Sequence, residues 1–567
     1  MSEAVTVVEL RVLDGPNLYF PRPAVKLTLA VPGWTRAADT TVLRAAAGLG
    51  FSPVTPGRPG TDARLRTVAR IAKQFTRSIA HAAGTRQLAV RARSDTTPDQ
   101  IVIVFPWRRR GAAEALATAV AAALVLALRR APGRVVAELG PRIANVNPGD
   151  EPTVPDPAIP VIQVTGTNGK TTTVRLLAHL VRTAGLRVAY STTDGVYKDD
   201  GELIEPGDYS GFGGAARALA AAPDVAVLET ARGGMLLRGS GVLHNDVAVV
   251  TNVSEDHLGL QGIFTVDQLA EVKAIPTRIT RPDGWDVLNA DDPRVLAMAR
   301  NAAGRPWLFS FDPGHPAFRA VVPAGGRAMT VVDGTITWMD GHQAHPLLAV
   351  EDVPMTLAGL SRVNIANAMA AAAAALAVGI APKAVINGLK TFVLDPERNP
   401  GRANLFLLDG RVIVVDYAHN TAGMVSLAEV LRGLCPAGHK VWLAIGTAGD
   451  RTDQILHSFS LQAALGSDHL AIAELLRYLR GRERQDVIDH LREGAAQAGA
   501  TDVPAYPDEL EALRAMLASA RRHDVVGVTA LAKRTEIFEW LSSVGATRMS
   551  SATIRRLVRR VREERAS

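Results

Sequence analysis

The chain has 567 residues, with 63 lysines and arginines against 56 aspartates and glutamates, a formal net charge of +7, and hydrophobic and charged residues at 47% and 21%. That length and balance suit a large soluble enzyme built from three or four domains, each with its own core. One cysteine, Cys435, excludes an intrachain disulfide framework and fits a reducing compartment; Glu3, Glu9 and Arg11 interrupt any apolar leader, so a cytoplasmic protein is expected.

In chain order, residues 1–147 mix strand-like runs (5–13, 25–31, 101–105) with helical patterns at 64–81 and 112–130, which predicts an α+β domain. Within it Arg64, Arg66, Arg70, Lys73 and Arg77 recur at helical spacing, and Arg108, Arg109 and Arg110 form a second cluster. Solvated surface charge and a tract that attracts acidic substrates both fit them. Prolines 148, 152, 155, 157 and 160 mark a linker over 148–160. Residues 161–395 then alternate strand and helix, with strands at 188–191, 225–229, 247–252 and 286–289, the pattern of a doubly wound parallel sheet. Short strands follow between Pro306 and Pro354, with Asp333-Gly334 as a hairpin turn. A further α/β domain is expected over 396–545, with strands at 412–416, 440–445 and 525–529. Residues 546–567 read as a basic helix with Ile554, Leu557, Val558 and Val561 on its apolar side, suited to docking on the body or, less simply, to nucleic acid. The alanine-rich stretches 115–128 and 366–380 are too short to span a bilayer and are expected as buried helices, so no membrane partner is expected.

The most informative run is VIQVTGTNGKTTT, residues 161–173. An apolar strand leads into a turn in which Gly166 and Gly169 let Thr167, Asn168 and their neighbours point backbone N–H groups inward, and a helix follows. Lys170 can reach the outer phosphates of a nucleotide, and the hydroxyls of Thr171 and Thr172 follow it, Thr171 placed to meet a magnesium ion. Only Thr167 and Asn168 separate the first glycine from the Gly-Lys pair, fewer residues than in the usual P-loop. Carboxylates and an imidazole also follow strands directly: Glu229 in AVLETARGG, and Asn252, Glu255, Asp256 and His257 in VAVVTNVSEDHLG. Parallel strand ends are where such sheets place ligand chemistry, and these residues are candidate metal ligands. A hydrogen-bonding role for His257 stays open.

GTNGKTT, LETARGG, NVSEDHLG, LNADDP, the Asn364/Asn367 pair, PGR at 400–402, DYAHN and GTAGDR occur in the order found in the Mur ligase family, and over 161–530 the chain resembles that family. The forms ETARGG, SEDHLG and GTAGDR, and the opening LDGPNLYFPRPAVKLTL, are most similar to the Mur-ligase half and amino-terminal unit of the cyanophycin synthetases. Those enzymes carry an ATP-grasp domain between the two parts, whereas here the proline linker runs straight into the phosphate loop. One ligase site is therefore expected, and synthesis of a polymer from two alternating amino acids is put in doubt.

The resemblance implies a Mur-ligase-type P-loop ATPase domain, a Rossmann-like domain after it, and ATP with Mg2+ as cofactors. It implies an amide ligase that phosphorylates an acceptor carboxylate and joins it to the amine of an amino acid. By position, Lys170 would hold the β and γ phosphates, Thr171 and Glu229 the first magnesium, and His257 would help hold the second. Lys273 stands where family members carry a carbamylated lysine, with an ordinary surface lysine as the alternative. Asn367 matches the adenine-contacting asparagine of an HNxxN segment whose histidine is Val363 here, and Asn364 suits either that segment or a helix cap. Arg402 would reach the transferring phosphate and Asp416 the ribose. His419, Asn420, Asp450 and Arg451 lie on loops where related ligases meet the incoming amino acid, although Asp450 and Arg451 pairing with each other is an equal alternative. The amino-terminal domain would dock the acceptor, an acidic peptide or amino acid.

Two other classes remain open. A nucleotide-binding regulator without ligase activity needs the cradle but not the whole residue set. A nucleic-acid-associated ATPase rests only on the basic tail, and aromatics at 5% give little for base stacking. Homo-oligomerisation is left open.

Overall fold

The computed structural model describes residues 4–50, 55–256, 258–341 and 343–566. The chain forms two compact units: Met1–Pro157 with Gly211–Ala216 and Ala231–His244, and Ala158–Ser210 with Arg217–Thr230 and Asn245–Ser567.

In the first unit, β1 (Thr6–Leu13), β2 (Ala24–Ala30), β3 (Arg91–Ser94) and β4 (Gln100–Pro106) form an antiparallel sheet in the order β1-β2-β4-β3. Helix Asp62–Ala82 begins at Thr61, whose hydroxyl accepts the N–H of Arg64, and buries Leu65, Val68, Ile71, Phe75 and Ile79 at three- and four-residue spacing. Arg64 departs from the expected basic face. It is fully buried, donating to the carbonyls of Ala37 (2.7 Å) and Gly57 (3.1 Å) and pairing with Asp39, so it holds the fold together, while Arg66, Arg70 and Arg77 are exposed. Helix Arg110–Ala127 starts five residues before the alanine run, and its 18 residues are long and apolar enough to cross a membrane by length and composition, contrary to the expectation. Within this unit Leu116, Val120, Ala123 and Leu124 of that helix belong to the core, and Trp34 donates its ring N–H to Leu124 O at 2.9 Å.

The loop that follows β1 explains its glycine. Gly15 N donates to Arg238 O (3.0 Å), Ser240 N donates to Pro16 O (2.6 Å), and a Cβ on Gly15 would stand 1.9 Å from Ser240 O. Asp14 adds an ion pair with Arg238 at 2.5 Å.

The second unit holds two sheets. In the first, β5 (Val161–Thr165), β6 (Val188–Thr192), β7 (Gly195–Lys198), β8 (Glu202–Pro206), β9 (Val225–Glu229), β10 (Asn245–Val250), β11 (Thr280–Asn289), β12 (Arg305–Phe309), β13 (Arg327–Val332), β14 (Thr335–Asp340) and β15 (Gln343–Ala349) lie in the order β15-β14-β13-β12-β11-β10-β5-β9-β6-β7-β8. From β13 to β6 the neighbours are parallel, but both edges are antiparallel, so the sheet is mixed rather than wholly parallel. The hairpin β7–β8 was not apparent in the sequence. At the other edge Asp333 and Gly334 take φ of 47° and 74°, which closes the β13–β14 hairpin at the expected turn. The alanine-rich segment forms helix Arg362–Ala377, and Ala368–Ala375 are buried against helix Lys170–Thr183. Small side chains let these two helices approach closely over the central strands.

The second sheet comprises β16 (Asn404–Leu408), β17 (Arg411–Asp416), β18 (Val441–Ile445), β19 (His469–Ala473), β20 (Ala505–Tyr506), β21 (Val525–Thr529) and β22 (Thr547–Arg548) in the order β20-β19-β18-β21-β17-β16-β22. Its five parallel strands, β20 to β17, are the Rossmann-like part. The basic helix Ser551–Ala566 packs on this body through Ile554, Val558 and Val561, with Arg555 paired to Asp352 at 2.6 Å and Arg562 donating to Ala358 O at 3.2 Å.

Candidate active site

Strand β5 sits between β10 and β9, with Val164 beside Glu229 and Thr165 beside Val250, so three strand ends open on one point. Past Thr165 the chain turns through residues that only glycine fits. Gly166 has φ 147° and Gly169 φ 89°; a Cβ at the first would lie 1.9 Å from Thr251 Oγ1, and at the second 2.2 Å from Asn367 Oδ1. Helix Lys170–Thr183 starts at once, so its unpaired first-turn N–H groups and positive dipole end face the loop. Asn252 fastens the cradle: its Oδ1 accepts from Asn168 N (2.9 Å) and its Nδ2 donates to Asn168 O (3.0 Å). Thr167 N donates to Asn252 O (2.9 Å), and Ser254 N donates to Thr167 Oγ1 (3.0 Å). Asn252 thus holds the loop's shape, with its amide oxygen already engaged by Asn168 N.

The charged groups gather on this cradle. Lys170 Nζ donates to Thr167 O at 2.9 Å, and Thr171 Oγ1 donates to Glu229 Oε2 at 2.9 Å. Glu229 is 2% exposed, and its Oε1 has no hydrogen-bond partner among the described residues. Burial pushes its carboxyl above the usual range, against the opposing pull of Lys170, the Thr171 bond and Arg402. Arg402 Nη2 lies 3.3 Å from Thr171 Oγ1, with its guanidinium 4.7 Å from the centre of the Tyr417 ring. Lys273 ends helix Val266–Lys273; it is 3% exposed and donates to Gly166 O at 2.5 Å, so it is not a surface lysine. His257 lies outside the described residues. A buried carboxylate oxygen without a partner, next to a threonine hydroxyl, is the hard-oxygen donor set that suits a divalent cation such as Mg2+.

Beside the cradle runs a cleft of about 330 Å³, lined among others by Thr172, Asn367, Arg402, Asp416, Tyr417 and His419. Asp416, at the end of β17, accepts from Ala403 N and Ala418 N, both at 2.8 Å, and burial raises its carboxyl despite Arg402. Asn367 donates to Asn364 Oδ1 at 3.2 Å. The helix cap is Ser361, which accepts from Asn364 N at 3.3 Å, so Asn364 sits within the first turn and is not the cap. His419 Nδ1 lies 2.9 Å from Tyr417 O, which only a protonated Nδ1 can satisfy, leaving Nε2 as an acceptor. Burial lowers its pKa to about 4, which keeps the ring neutral near pH 7.

The other loop residues expected to meet an amino acid have partners within the protein. Asn420 caps helix Thr421–Leu434, and its amide pairs with that of Asn168 at 2.9 and 3.2 Å, joining the phosphate loop to the Rossmann-like part. Asp450 and Arg451 do not pair with each other: Asp450 bridges Arg480, and Arg451, 3% exposed at its side chain, meets Asp256 at 3.0 Å. Sequence reasoning missed Asp194, which bridges Arg175 (2.7 Å) on the phosphate-loop helix and Arg534 (3.1 Å) near the chain's end. Asp194 follows β6 directly, the same strand-end signal that singled out Glu229, but its partners stand too far along the chain to be read as neighbours.

The model of the Mur ligase middle domain matches residues 164–375, and that of the Mur ligase, glutamate ligase domain matches residues 401–530. Cyanophycin synthetase of Crocosphaera subtropica is 38% identical over 357 residues, covering 63% of this chain and 40% of that protein. The chain thus spans about two fifths of that relative's length. UDP-N-acetylmuramyl-tripeptide synthetase of Deinococcus radiodurans is 28% identical over 403 residues, covering 68% of this chain and 77% of the relative. Among solved structures, a bifunctional folylpolyglutamate synthase/dihydrofolate synthase with Mn, AMPPNP and L-glutamate bound superposes with a TM-score of 0.52 at 21% identity, over 68% of this chain and 90% of that one, a likeness of fold.

Proposed function

Because this chain belongs to the Mur ligase family, we propose that it is an ATP-dependent carbon–nitrogen ligase. It activates an acceptor carboxylate as an acyl phosphate and joins it to the amine of an amino acid, releasing ADP and phosphate. A free carboxylate resists attack because its charge repels nucleophiles and oxide is a poor leaving group; phosphorylation removes both obstacles. The observation that carries this reading is the buried oxygen of Glu229, without a hydrogen-bond partner among the described residues, beside Thr171, with Lys170 and Arg402 close by. A nucleotide-binding regulator has no use for Arg402 aimed at the loop.

Each residue then has a part. The loop N–H groups and Lys170 hold the β and γ phosphates, and Arg402 offsets the charge of the phosphoryl group as it transfers. Thr171, Glu229, His257 and Lys273 are the residues that would hold magnesium, which supplies charge neutralisation on the phosphates. Carbamylation of Lys273 would turn a buried cation into an anionic oxygen ligand. Lys273→Ala assayed with and without short-chain carboxylates tests that step, and full activity without them overturns it. Asn367 and Asp416 face the cleft where adenine and ribose would lie. His419, neutral with Nε2 as acceptor, suits the ammonium of an incoming amino acid better than its carboxylate.

For the acceptor we propose an acidic peptide or amino acid with an aspartyl or glutamyl end. In the first unit a cleft of about 670 Å³ is lined by Arg22, Arg86, Arg108 and Arg109 beside Trp107, a chemistry that suits a polyanionic tail. ATP and amino acids as substrates agree with a cytoplasmic enzyme. The test is a panel of amino acids and acidic peptides with ATP and Mg2+, scored for phosphate release and confirmed by product mass. Nucleotide binding without any new amide across the panel would overturn the ligase reading.

A further inference from the structure

Away from the phosphate loop, three ligand atoms from two helices converge. His457 Nε2, on helix Asp453–Gly466, lies 2.9 Å from His490 Nδ1, on helix Arg484–Ala496, and 3.0 Å from Glu493 Oε2; His490 Nδ1 and Glu493 Oε2 are 3.5 Å apart. We propose that these residues form a zinc site, unrelated to the magnesium of the ligase reading.

The geometry suits the ion. A point about 2.1 Å from all three atoms exists about 1 Å out of their plane, which is the reach of zinc to nitrogen and carboxylate oxygen and leaves a fourth position open to water. Two imidazoles and one carboxylate favour zinc over magnesium, which prefers oxygen alone. His457 is also held in place by close packing, because a Cβ on Gly494 would stand 2.3 Å from His457 O and 2.2 Å from Ser460 Oγ. The two helices can approach that far only with glycine there.

An outer layer is already assembled. The other ring nitrogen of His490, Nε2, faces Asp486 Oδ1 at 3.3 Å and Asp453 Oδ1 at 3.5 Å. A metal-bound imidazole donates its remote N–H to just such a carboxylate, which fixes the tautomer and the ring plane. Arg482 holds both carboxylates, with Nε to Asp486 at 2.6 Å and Nη2 to Asp453 at 2.5 Å, and its Nη1 donates to Arg451 O at 3.0 Å. The zinc site therefore fastens the start of helix Asp453–Gly466, and through Arg482 the loop that carries Asp450 and Arg451.

The test uses the untagged full-length chain, stripped with a chelator and dialysed against Zn2+ in excess Mg2+ to keep the phosphate-loop carboxylate occupied. One tightly held Zn2+ per chain is expected, and Co2+ in its place should give the intense visible bands of a four-coordinate ion. His457→Gln and the exposed Glu493→Gln should each lower affinity at least tenfold and lose those bands, while keeping the Tm of the metal-free protein. Asp486→Asn should weaken binding about 10- to 100-fold without abolishing it. A wild-type chain that holds no Zn2+ under these conditions, or variants that hold it as tightly as wild type, would overturn the site.

Discussion

The phosphate loop and the 446–451 loop both gather charge at strand ends, yet they hold it differently. At the phosphate loop Glu229 keeps one carboxylate oxygen without a hydrogen-bond partner among the described residues and its carboxyl is pushed up by burial, so the folded chain tolerates an unfavourable group there. At the other loop Arg451 is paired to Asp256 and Asp450 to Arg480. Under the ligase reading one region is organised around a positive guest; the other holds its charges in ion pairs, although Arg451 Nε is also buried without a hydrogen-bond partner among the described residues, and it must rearrange to read a ligand by charge. Local strain against stability marks a binding site more sharply than the mere presence of acids and bases.

The largest effect that would test this contrast is expected at Lys170 and Arg402. Lys170→Ala should lower phosphate release about a thousandfold and Arg402→Ala by about 10²–10³, each with Tm nearly unchanged. A milder loss than at the second loop would reverse the comparison.

Glu229→Gln sharpens it, because stability and function should move in opposite directions. Since the folded carboxyl sits above its unfolded value, the ionised form costs stability, and that cost grows as pH rises through the folded value. The variant should melt higher than wild type at neutral pH yet lose magnesium-dependent nucleotide binding. In the wild type, nucleotide affinity measured across a pH series should fall as pH is lowered toward the acid range, since protonation removes the anionic ligand.

Buried Asp286, inside β11 and outside both loops, is a control for burial without a proposed role. Thr280 Oγ1 (2.7 Å) and Gly304 N (2.9 Å) donate to it, and burial still raises it to about 7. Stability from this group is fully present below the unfolded value and is lost as pH rises through about 7. Asp286→Asn should gain up to about 4 kcal/mol over wild type at alkaline pH, read by denaturant unfolding, with ligation unaffected.

Arg451→Ala should raise the amino-acid KM about tenfold and lower Tm, because the buried ion pair with Asp256 is lost. A large kcat loss with unchanged KM would place Arg451 in the phosphoryl step instead. The smallest effect is expected for single substitutions such as Arg86→Ala in the first unit's cleft, a change of a few-fold in the KM of an acidic acceptor, diminished by salt.

Much of this was legible in the chain because it is local. The strand, two glycines, lysine and threonines of 161–173 determine a phosphate cradle through backbone conformation and helix polarity alone, and the order of segments from Glu229 to Arg451 carries the family likeness. The Asp333-Gly334 turn was readable for the same reason. The sequence could not say that Arg64 turns inward to bind carbonyls, that β7 and β8 pair as an edge hairpin, or that helix Arg110–Ala127 begins before its alanine run. Nor could it say that Asn252 and Asn420 serve the shape of the phosphate loop, or that Arg451 meets Asp256. Those outcomes depend on which distant groups arrive at hydrogen-bonding distance, and only close packing of the whole chain decides that. Spacing along the chain determines which conformations a short segment can adopt; the partner of a buried polar group is chosen by whatever the fold brings within about 3 Å.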